Sequence, residues 1–294
     1  MRYLILSFLI AVSAPALAGK KVDETLAVER SGKVGVSVVR GDVDIMTWKK
    51  SEVRVVGELD DAVRKFIFET DNGETRIKVE LDDGFFHKNW SSEDTDLDIF
   101  VPQDSEVETD GVSVDYKITG VKGGLRANTV SGDLDISEIE KELDLQTVSG
   151  DIRVMDSSGK MKLSSVSGDI DTDGDADYFD ATTVSGDVEA SIGRADVLEL
   201  SSVSGDIEIQ FELADDGQVD AETVSGDVSL EFANSVVNAR FKIDTGPGGD
   251  IRNKITDDRS DESFIGSEKI KFESGNGDGS VEISTMSGTI QVEN

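Results

Sequence analysis

Hydrophobic and polar residues alternate in short runs along most of the chain, and no stretch shows a sustained helical period. One such run is Leu143-Asp-Leu-Gln-Thr-Val-Ser-Gly-Asp-Ile-Arg-Val154. A period of two with many Val, Ile and Thr residues is typical of β-strands. Only three prolines occur, and none falls within the repeated runs, so the strand ladders keep their donors. We therefore predict an all-β fold.

A short sequence repeat dominates the second half of the chain. Six Ser-Gly-Asp triplets follow one another at spacings of 18, 18, 18, 19 and 21 residues, each preceded by Val and each Val by Thr or Ser. The triplets begin at Ser131, Ser149, Ser167, Ser185, Ser204 and Ser225. Stacked units of this kind form a continuous core that one unit cannot form alone.

The repeat predicts a single-stranded parallel β-solenoid (β-helix) with rungs of about 18 residues. An antiparallel meander with Ser-Gly-Asp as a hairpin turn is the competing arrangement. The solenoid is favoured because the whole unit repeats, not only its turn. Degenerate copies extend the array at residues 39–43, 112–116, 248–251 and 286–290.

The regularity of the pattern divides the chain. Residues 19–104 are less regular but rich in strand patterns, so we predict a β-rich N-terminal region there, followed by a β-solenoid repeat region at 105–294. Arg40-Gly41-Asp42 matches the integrin-binding tripeptide, but it occupies the repeat turn with Arg in place of Ser. We therefore expect no integrin-type recognition.

The valine of the motif forms a column: Val130, Val148, Val166, Val184, Val203 and Val224. Strict alternation from Leu143 and Leu145 sends Thr147 inward and Val148 outward. A corner between Gln146 and Thr147 would reverse that phase. Because an exposed valine in every rung would create an apolar ribbon, we predict that the column is buried and that the Thr/Ser column faces solvent.

The first 18 residues have the pattern of a secretory leader. A charged Met1-Arg2 end precedes an apolar run and a small-residue stretch ending in Ala16-Leu17-Ala18, so we predict a signal peptide at 1–18 that is cleaved before Gly19. No later run approaches the roughly 20 apolar residues of a membrane span, which predicts no transmembrane segment in the mature chain. The absence of Cys excludes disulfides and a lipid-modified N-terminal Cys.

The charge of the chain is strongly negative. With 62 acidic and 29 basic residues the formal net charge is -33, which repels nucleic acid and anionic lipid and attracts cations or basic partners. The simpler interpretation is that outward charges keep a long repeat soluble and stop its edges from pairing.

The motif aspartates raise a separate question, because stacked carboxylates about 5 Å apart repel one another by roughly 1 kcal/mol per pair in water. We expect each aspartate to accept N–H groups of its own turn, with bound cations as the alternative.

Two further segments carry candidate chemistry. Residues 169–180 match the calcium-loop pattern D-x-D-x-D-G with an acid at the twelfth position, although no helices flank them. His87, the only histidine, lies in an aromatic cluster that could stack on sugar rings or pack on itself. Neither pattern outweighs its structural explanation, so we predict no catalytic, cofactor-binding or metal residues and no cofactor, and calcium remains possible.

The chain resembles the bacterial β-strand-repeat family of unknown function that is usually labelled "putative adhesin". The resemblance rests on Gly41-Asp42-Val43 with Trp48 shortly after, on Ile99-Phe100-Val101-Pro102, and on the Thr-Val-Ser-Gly-Asp-Val/Ile runs. It implies a single-stranded β-helix and a cell-envelope setting, and it supplies no catalytic residues.

Three functional hypotheses remain open. The leading one is a non-enzymatic exported envelope or surface module, periplasmic or secreted, that acts as an adhesin-like scaffold or binds an envelope or surface partner, protein or glycan. The second is a polysaccharide-active β-helix enzyme, although no acidic pair stands out among so many. The third is a calcium-dependent or ice-type surface-binding solenoid, because Thr147-Val-Ser149 and its copies resemble a Thr-x-Thr array.

Overall fold

The computed structural model describes residues 21–82 and 94–294 of the chain. These residues form 21 hydrogen-bonded strands joined by turns and bends, and they contain no helix, so none is available to cross a membrane. The first strands are β1 (Lys21–Ala27), β2 (Lys33–Trp48), β3 (Glu52–Glu58), β4 (Val63–Asp71), β5 (Glu74–Leu81), β6 (Thr95–Pro102) and β7 (Glu106–Thr119).

The repeat region continues with shorter and longer strands. These are β8 (Leu125–Asn128), β9 (Leu134–Ser137), β10 (Glu142–Gln146), β11 (Ile152–Ser164), β12 (Ile170–Thr182), β13 (Val188–Ser201), β14 (Ile207–Ser225) and β15 (Val228–Phe232). The last strands are β16 (Ala239–Thr245), β17 (Asp250–Asn253), β18 (Asp261–Glu262), β19 (Glu268–Ser274), β20 (Gly279–Ser287) and β21 (Thr289–Glu293).

Successive repeats stack in parallel and in register. β11 pairs with β12 from Ile152↔Ile170 to Ser164↔Thr182, which is the 18-residue offset of the sequence repeat. The same parallel arrangement joins β7 to β8 and β9, β12 to β13, and β13 to β14. The pairs β11–β12 and β13–β14 each contain register shifts, which are β-bulges or other local irregularities.

The N-terminal end of the stack does not follow sequence order. β2 pairs in parallel with β7 along one edge and with β5 and β6 along the other. β6 continues into an antiparallel pair with β3, and β3 with β1, while β5 pairs antiparallel with β4. Later segments therefore cover the edge that β2 would otherwise expose to other chains.

The C-terminal end is also assembled out of order. The second part of β14 pairs with β20, and β15 pairs with β21, so the last strands of the chain lie directly against the repeat coils. β16 and β17 lie on the far side of β20 and β21. β16 then pairs antiparallel with β19, and β19 with β18.

The degenerate copies of the motif align with the regular ones despite this order. Asp42 pairs with Asp115 across β2 and β7, Ser225 pairs with Ser287 across β14 and β20, and Asp250 pairs with Thr289 across β17 and β21. Each copy therefore occupies the motif position of its own coil.

A single hydrophobic core runs through the stack. Inward Val, Ile and Leu side chains fill it along the repeats, and aromatic rings replace them near the C-terminal end. There the Phe211 and Phe232 ring centroids lie 4.8 Å apart, and Phe241 stacks on Phe272 at 4.4 Å. Aromatic pairs at these separations add to the stabilisation from burial.

The prediction of an all-β fold is confirmed, and the stacking of the repeats is solenoid-like. The antiparallel pairs at both ends differ from a purely parallel single-stranded coil. They arise because an end coil has no following repeat to pair with, so other segments of the chain complete its hydrogen bonds.

Candidate functional site: an exposed valine ribbon

The Thr-Val-Ser-Gly-Asp motif forms a bend between the strands of the coil. In the unit that starts at Leu143, the side chains of Leu143, Leu145 and Thr147 are buried. Val148 and Ser149 are then both exposed, and burial resumes after this bend. Two consecutive outward residues shift the phase of the alternation, so the corner lies at Val148-Ser149.

The buried hydroxyl of the motif explains why the Thr/Ser column points inward. The Oγ1 atoms of Thr147 and Thr183 donate to the carbonyl oxygens of Gly132 and Gly168, each at 3.3 Å. The Oγ of Ser165 makes the same bond to the preceding glycine of the column. A buried hydroxyl needs such a partner, and the glycine carbonyl of the preceding coil supplies it.

The glycine of the motif allows two turns to approach closely. A Cβ atom on Gly150 would lie 1.9 Å from the carbonyl oxygen of Gly132, and one on Gly168 would lie 1.9 Å from that of Gly150. Atoms cannot approach to that distance, so any side chain would force neighbouring coils apart. This packing, rather than a positive φ, fixes glycine at the corner.

The aspartate column forms a ladder of hydrogen bonds between coils. The Oδ1 of Asp133 accepts the backbone N–H of Asp151 at 2.9 Å, and the Oδ1 of Asp151 accepts that of Asp169 at 3.0 Å. The ladder starts at Asp115 and ends where Asp227 accepts the N–H of Thr289. The expectation that each aspartate binds its own turn is wrong, because each binds the next turn of the stack.

The valine column is exposed, and the prediction that it is buried is wrong. The six valines are 41% to 48% exposed, whereas the predicted solvent-facing Thr147 and Ser165 are 4% and 2% exposed. Hydrogen bonding of the hydroxyl to the glycine carbonyl holds the Thr/Ser position inside, and the valine beside it then faces solvent. The corner is at Val148 and not between Gln146 and Thr147.

The exposed column extends further than the six clear repeats. We call it the valine ribbon, and its members are Val112, Val130, Val148, Val166, Val184, Val203, Val224 and Met286. Met286 follows Val224 because β14 and β20 pair in this register. Val112 and Met286 belong to the degenerate copies of the motif at 112–116 and 286–290, which do not keep the full Val-Ser-Gly-Asp sequence.

The ribbon is long, narrow and bordered by polar groups. At about 4.8 Å per strand, its eight side chains extend over about 34 Å. Exposed motif serines line one side, with the aspartate ladder beyond them. At its C-terminal end, Val203, Val224 and Met286 open onto a groove of about 460 Å³, which Glu222 and Asp244 also line.

The electrostatics around the stack are those of crowded carboxylates. Partial burial raises the pKa of Asp42 above its usual value, and the neighbouring Asp115 and Asp96 raise it further. Partial burial likewise raises the pKa of Asp220, with Glu222 and Glu282 adding to the effect. A basic partner would relieve this repulsion.

The candidate calcium loop is not a loop. Residues 170–182 form strand β12, in which Asp171, Asp173 and Asp175 are exposed. An extended strand cannot wrap its carboxylates around one ion as a calcium loop does. Within residues 21–82 and 94–294, no group of three or more His, Asp or Glu side chains is placed to hold a metal ion.

The Arg-Gly-Asp tripeptide exposes its aspartate, Asp42, but not its arginine. Arg40 is 9% exposed, and its guanidinium pairs with the buried Asp60 and, at 3.1 Å, with Asp94. The absence of integrin-type recognition at this turn stays a prediction.

Two other sequence hypotheses have different outcomes. The buried Thr/Ser column removes the outward Thr-x-Thr array that the ice-type hypothesis requires. The aromatic cluster around His87 and the predicted leader at 1–18 lie outside the described residues.

Comparison with known proteins identifies the family. The Toastrack family (DUF4097), a domain of unknown function, matches residues 32–293, so the chain belongs to it. This confirms the resemblance seen in the sequence. Among curated proteins, none matches the chain significantly.

Several solved structures are similar at low identity. One described as a "putative adhesin" from Bacteroides fragilis has 14% identity and a TM-score of 0.44, and the match covers 93% of this chain and 97% of that one. A "putative lipid binding protein" from Parabacteroides distasonis has 13% identity and a TM-score of 0.40, with 93% and 97% covered. A "putative cell adhesion protein" from Clostridium sporogenes has 12% identity and a TM-score of 0.28, with 93% and 99% covered.

Proposed function

We propose that this member of the Toastrack family is a non-enzymatic, exported β-solenoid that binds a protein partner along the valine ribbon. The observation that carries the proposal is the ribbon itself, in which coil after coil exposes an apolar side chain beside a serine. A continuous apolar strip rimmed by polar residues is typical of an interaction surface.

The chemistry of the partner follows from the charges around the ribbon. The chain carries a net charge of -33, and the groove at the end of the ribbon contains Glu222 and Asp244. A protein with a row of apolar side chains flanked by Lys and Arg would complement both the ribbon and its rim. The same charge disfavours nucleic acid and anionic membranes.

Export and a surface role belong to the same proposal. The leader pattern at 1–18 supports export to the periplasm, the medium or the cell surface. In the mature chain, residues 19–104 would form the N-terminal end of one continuous solenoid and 105–294 its repeats. We infer no catalysis and no bound metal, since the motif carboxylates are engaged in the ladder between coils.

Site-specific photo-crosslinking tests the proposal. A photo-reactive residue at Val166, in the middle of the ribbon, should capture a defined envelope protein, and the same residue at the exposed Glu189 of β13 should not. The purified partner should then bind the wild-type chain, and the triple variant Val148→Thr, Val166→Thr, Val184→Thr should weaken that binding at least tenfold.

Three outcomes would contradict the proposal. Crosslinks of equal yield at both positions would remove the specificity of the ribbon. Capture of only a second copy of this chain would make the ribbon a self-association surface. Turnover of a polysaccharide by the purified protein would restore the enzyme hypothesis.

A further inference from the structure

One small pocket differs in charge from the rest of the molecule. It has a volume of about 150 Å³ and lies where the β1–β2 loop, the β2–β3 loop and the turn after β6 meet. Its cationic side chains are Arg30, Lys49 and Lys50, and one carboxylate, Asp104, also lines it. We call it the basic pocket.

Other grooves of the described part have the opposite balance. A groove of about 760 Å³ contains Asp156, Asp173, Asp175 and Glu212 against a single cation, Arg194. The groove beside the valine ribbon contains carboxylates and no cation. Three cations around one small pocket are therefore a local exception in a chain of net charge -33.

The cations are held in place by the surrounding loops. The Nε of Arg30 donates to Ser51 Oγ at 3.3 Å, and its Nη2 donates to the carbonyl oxygen of Lys49 at 3.4 Å. These bonds use two of the five guanidinium N–H donors and orient the others. The backbone N–H of Val28 also donates to the carbonyl oxygen of Ser51 at 3.0 Å, which ties the two loops together.

An aromatic platform positions the third cation. The Nζ of Lys50 lies 4.3 Å from the centroid of the Trp48 ring, a cation–π contact. That ring stacks on Phe100 at 5.4 Å, and its Nε1 donates to the carbonyl oxygen of Glu52 at 2.7 Å. The N–H of Gln103 donates to the carbonyl oxygen of Trp48 at 3.1 Å, which joins the turn after β6 to the platform.

The carboxylates near the basic pocket neutralise only part of its positive charge. The Nζ of Lys50 lies 4.0 Å from the Oε2 of Glu52, which is the limit for an ion pair, and both side chains are exposed to solvent. Such an exposed pair contributes little. Arg30 is oriented by neutral groups, a hydroxyl and a carbonyl, in the bonds described above.

We propose that the basic pocket binds the phosphate group of a soluble phosphate ester or of free phosphate. A volume near 150 Å³ equals about five water molecules, which suits one tetrahedral oxyanion and not a drug-sized ligand. Arg presents forked donors and Lys a point charge to phosphate oxygens. The net charge of -33 on the whole chain disfavours the approach of an anionic membrane, which carries many charges, more than that of one small phosphate.

Tryptophan fluorescence tests this site directly. The chain has two tryptophans, so Trp90→Phe leaves Trp48 as the reporter beside the pocket. Sodium phosphate should change the emission saturably, and sodium chloride at equal ionic strength should not. Arg30→Gln and Lys49→Gln should each weaken phosphate binding about tenfold or more.

A matched control separates the site from overall charge. Lys254→Gln removes one positive charge from an exposed ion pair with Glu293 near the other end of the stack, and it should change phosphate affinity less than twofold. Thermal melts should show that Arg30→Gln folds, since Arg30 is exposed. Equal responses to phosphate and chloride, or unchanged affinity in Arg30→Gln, would overturn the proposal.

Two further measurements identify the source of the anion. Cosedimentation with phosphatidylglycerol vesicles, compared with phosphatidylcholine vesicles, should be absent. If the protein binds the vesicles and Arg30→Gln abolishes that binding, the basic pocket is a phosphate site, but the proposal that its phosphate is soluble is overturned. A dimer that dissociates in Arg30→Gln, without phosphate binding, would overturn the proposal in favour of carboxylates from a second copy.

Discussion

From residue 107 to residue 201 each strand pairs in parallel with the strand one repeat later, whereas both ends of the molecule pair out of sequence order and partly antiparallel. The repeat coils reuse two hydrogen bonds. An inward hydroxyl donates to a glycine carbonyl oxygen of the preceding coil, and an aspartate carboxylate accepts the backbone N–H of the aspartate in the next coil. At the two ends, this pair of hydrogen bonds is confined to the degenerate copies of the motif.

The difference shows what a repeat can and cannot encode. A repeated motif specifies how one coil contacts the next, so any coil with two neighbours is determined locally. A terminal coil lacks one neighbour, and its open edge must be covered to prevent pairing with other chains. β4, β18 and β19 and the antiparallel pairs they form do this, and the sequence repeat contains no information about them.

The largest expected difference between the regions concerns glycine. A Cβ at Gly168 would lie 1.9 Å from the backbone oxygen of Gly150, so Gly168→Ala should cost more than about 4 kcal/mol or prevent folding. Gly35, in β2 at the N-terminal end, would meet only the oxygen of Thr75 at 3.9 Å. Gly35→Ala should therefore change the unfolding free energy by less than about 1 kcal/mol. Urea melts that show equal losses would contradict the close packing of the corners.

The aspartate ladder should behave alike in the two regions. Asp151→Ala should lose about 1.5–3 kcal/mol, because a charge-assisted bond to the N–H of Asp169 disappears. Asp227→Ala should lose a similar amount, since its carboxylate binds the N–H of Thr289 in the end coil. Asp151→Asn keeps the acceptor and should lose less than about 1 kcal/mol. Urea melts in EDTA measure all three variants without bound divalent cations, and equal losses in the Asn and Ala variants would contradict the hydrogen-bond ladder.

The sequence could predict the repeat but not the position of its corner. Alternation from Leu143 and Leu145 correctly predicts that Thr147 is inside. The corner predicted between Gln146 and Thr147 avoids an exposed apolar column, but the observed corner lies at Val148-Ser149. The deciding interaction, a hydroxyl on a glycine carbonyl 15 residues earlier, joins two coils and leaves no trace in the local pattern. The basic pocket was missed for the same reason, since Arg30, Lys49 and Gln103 meet only through three loops. The sequence signal that could have indicated this pocket is Trp48-Lys49-Lys50, a basic run in an acidic chain.

Tyr116 marks the boundary between the regions and should make stability depend on alkaline pH. Burial raises the pKa of its hydroxyl far above 10.0, and Asp110 adds to the shift. The neutral form is therefore favoured in the folded protein, so its contribution is complete below pH 10 and is lost as the pH rises through the folded pKa. At pH 11 the loss should be about 1.4 kcal/mol. Other groups with raised pKa values, such as Tyr178, titrate in both proteins, so urea melts at pH 8 and 11 should show a loss that is larger by this amount in the wild type than in Tyr116→Phe. Equal losses in both would contradict the assignment.

A smaller effect distinguishes two serines of the same buried column. Ser165 Oγ donates to the carbonyl oxygen of Gly150 at 3.3 Å, whereas Ser202 Oγ has no hydrogen-bond partner among the described residues. Ser165→Ala should therefore lose about 1 kcal/mol more than Ser202→Ala in urea melts. The neighbouring Thr183 and Thr223 of the same column both make the bond to a glycine carbonyl oxygen, so Ser202 is a local exception. A larger loss at Ser202 would indicate that the hydroxyl bond does not hold the column inside.

The smallest expected effect is at the ribbon itself. Val148 is 43% exposed, so Val148→Ala removes little buried surface and should change the unfolding free energy by about 0.5 kcal/mol or less. Leu145, three positions before Val148, is fully buried, and Leu145→Ala should cost about 2–5 kcal/mol through lost burial and a cavity. The two variants lie on the same coil, so their difference tests where the corner lies.

A loss above about 1 kcal/mol in Val148→Ala would place the valine inside and remove the ribbon as a binding surface. A small loss together with weakened partner binding in the triple Thr variant would mean that the ribbon contributes to recognition and not to the fold.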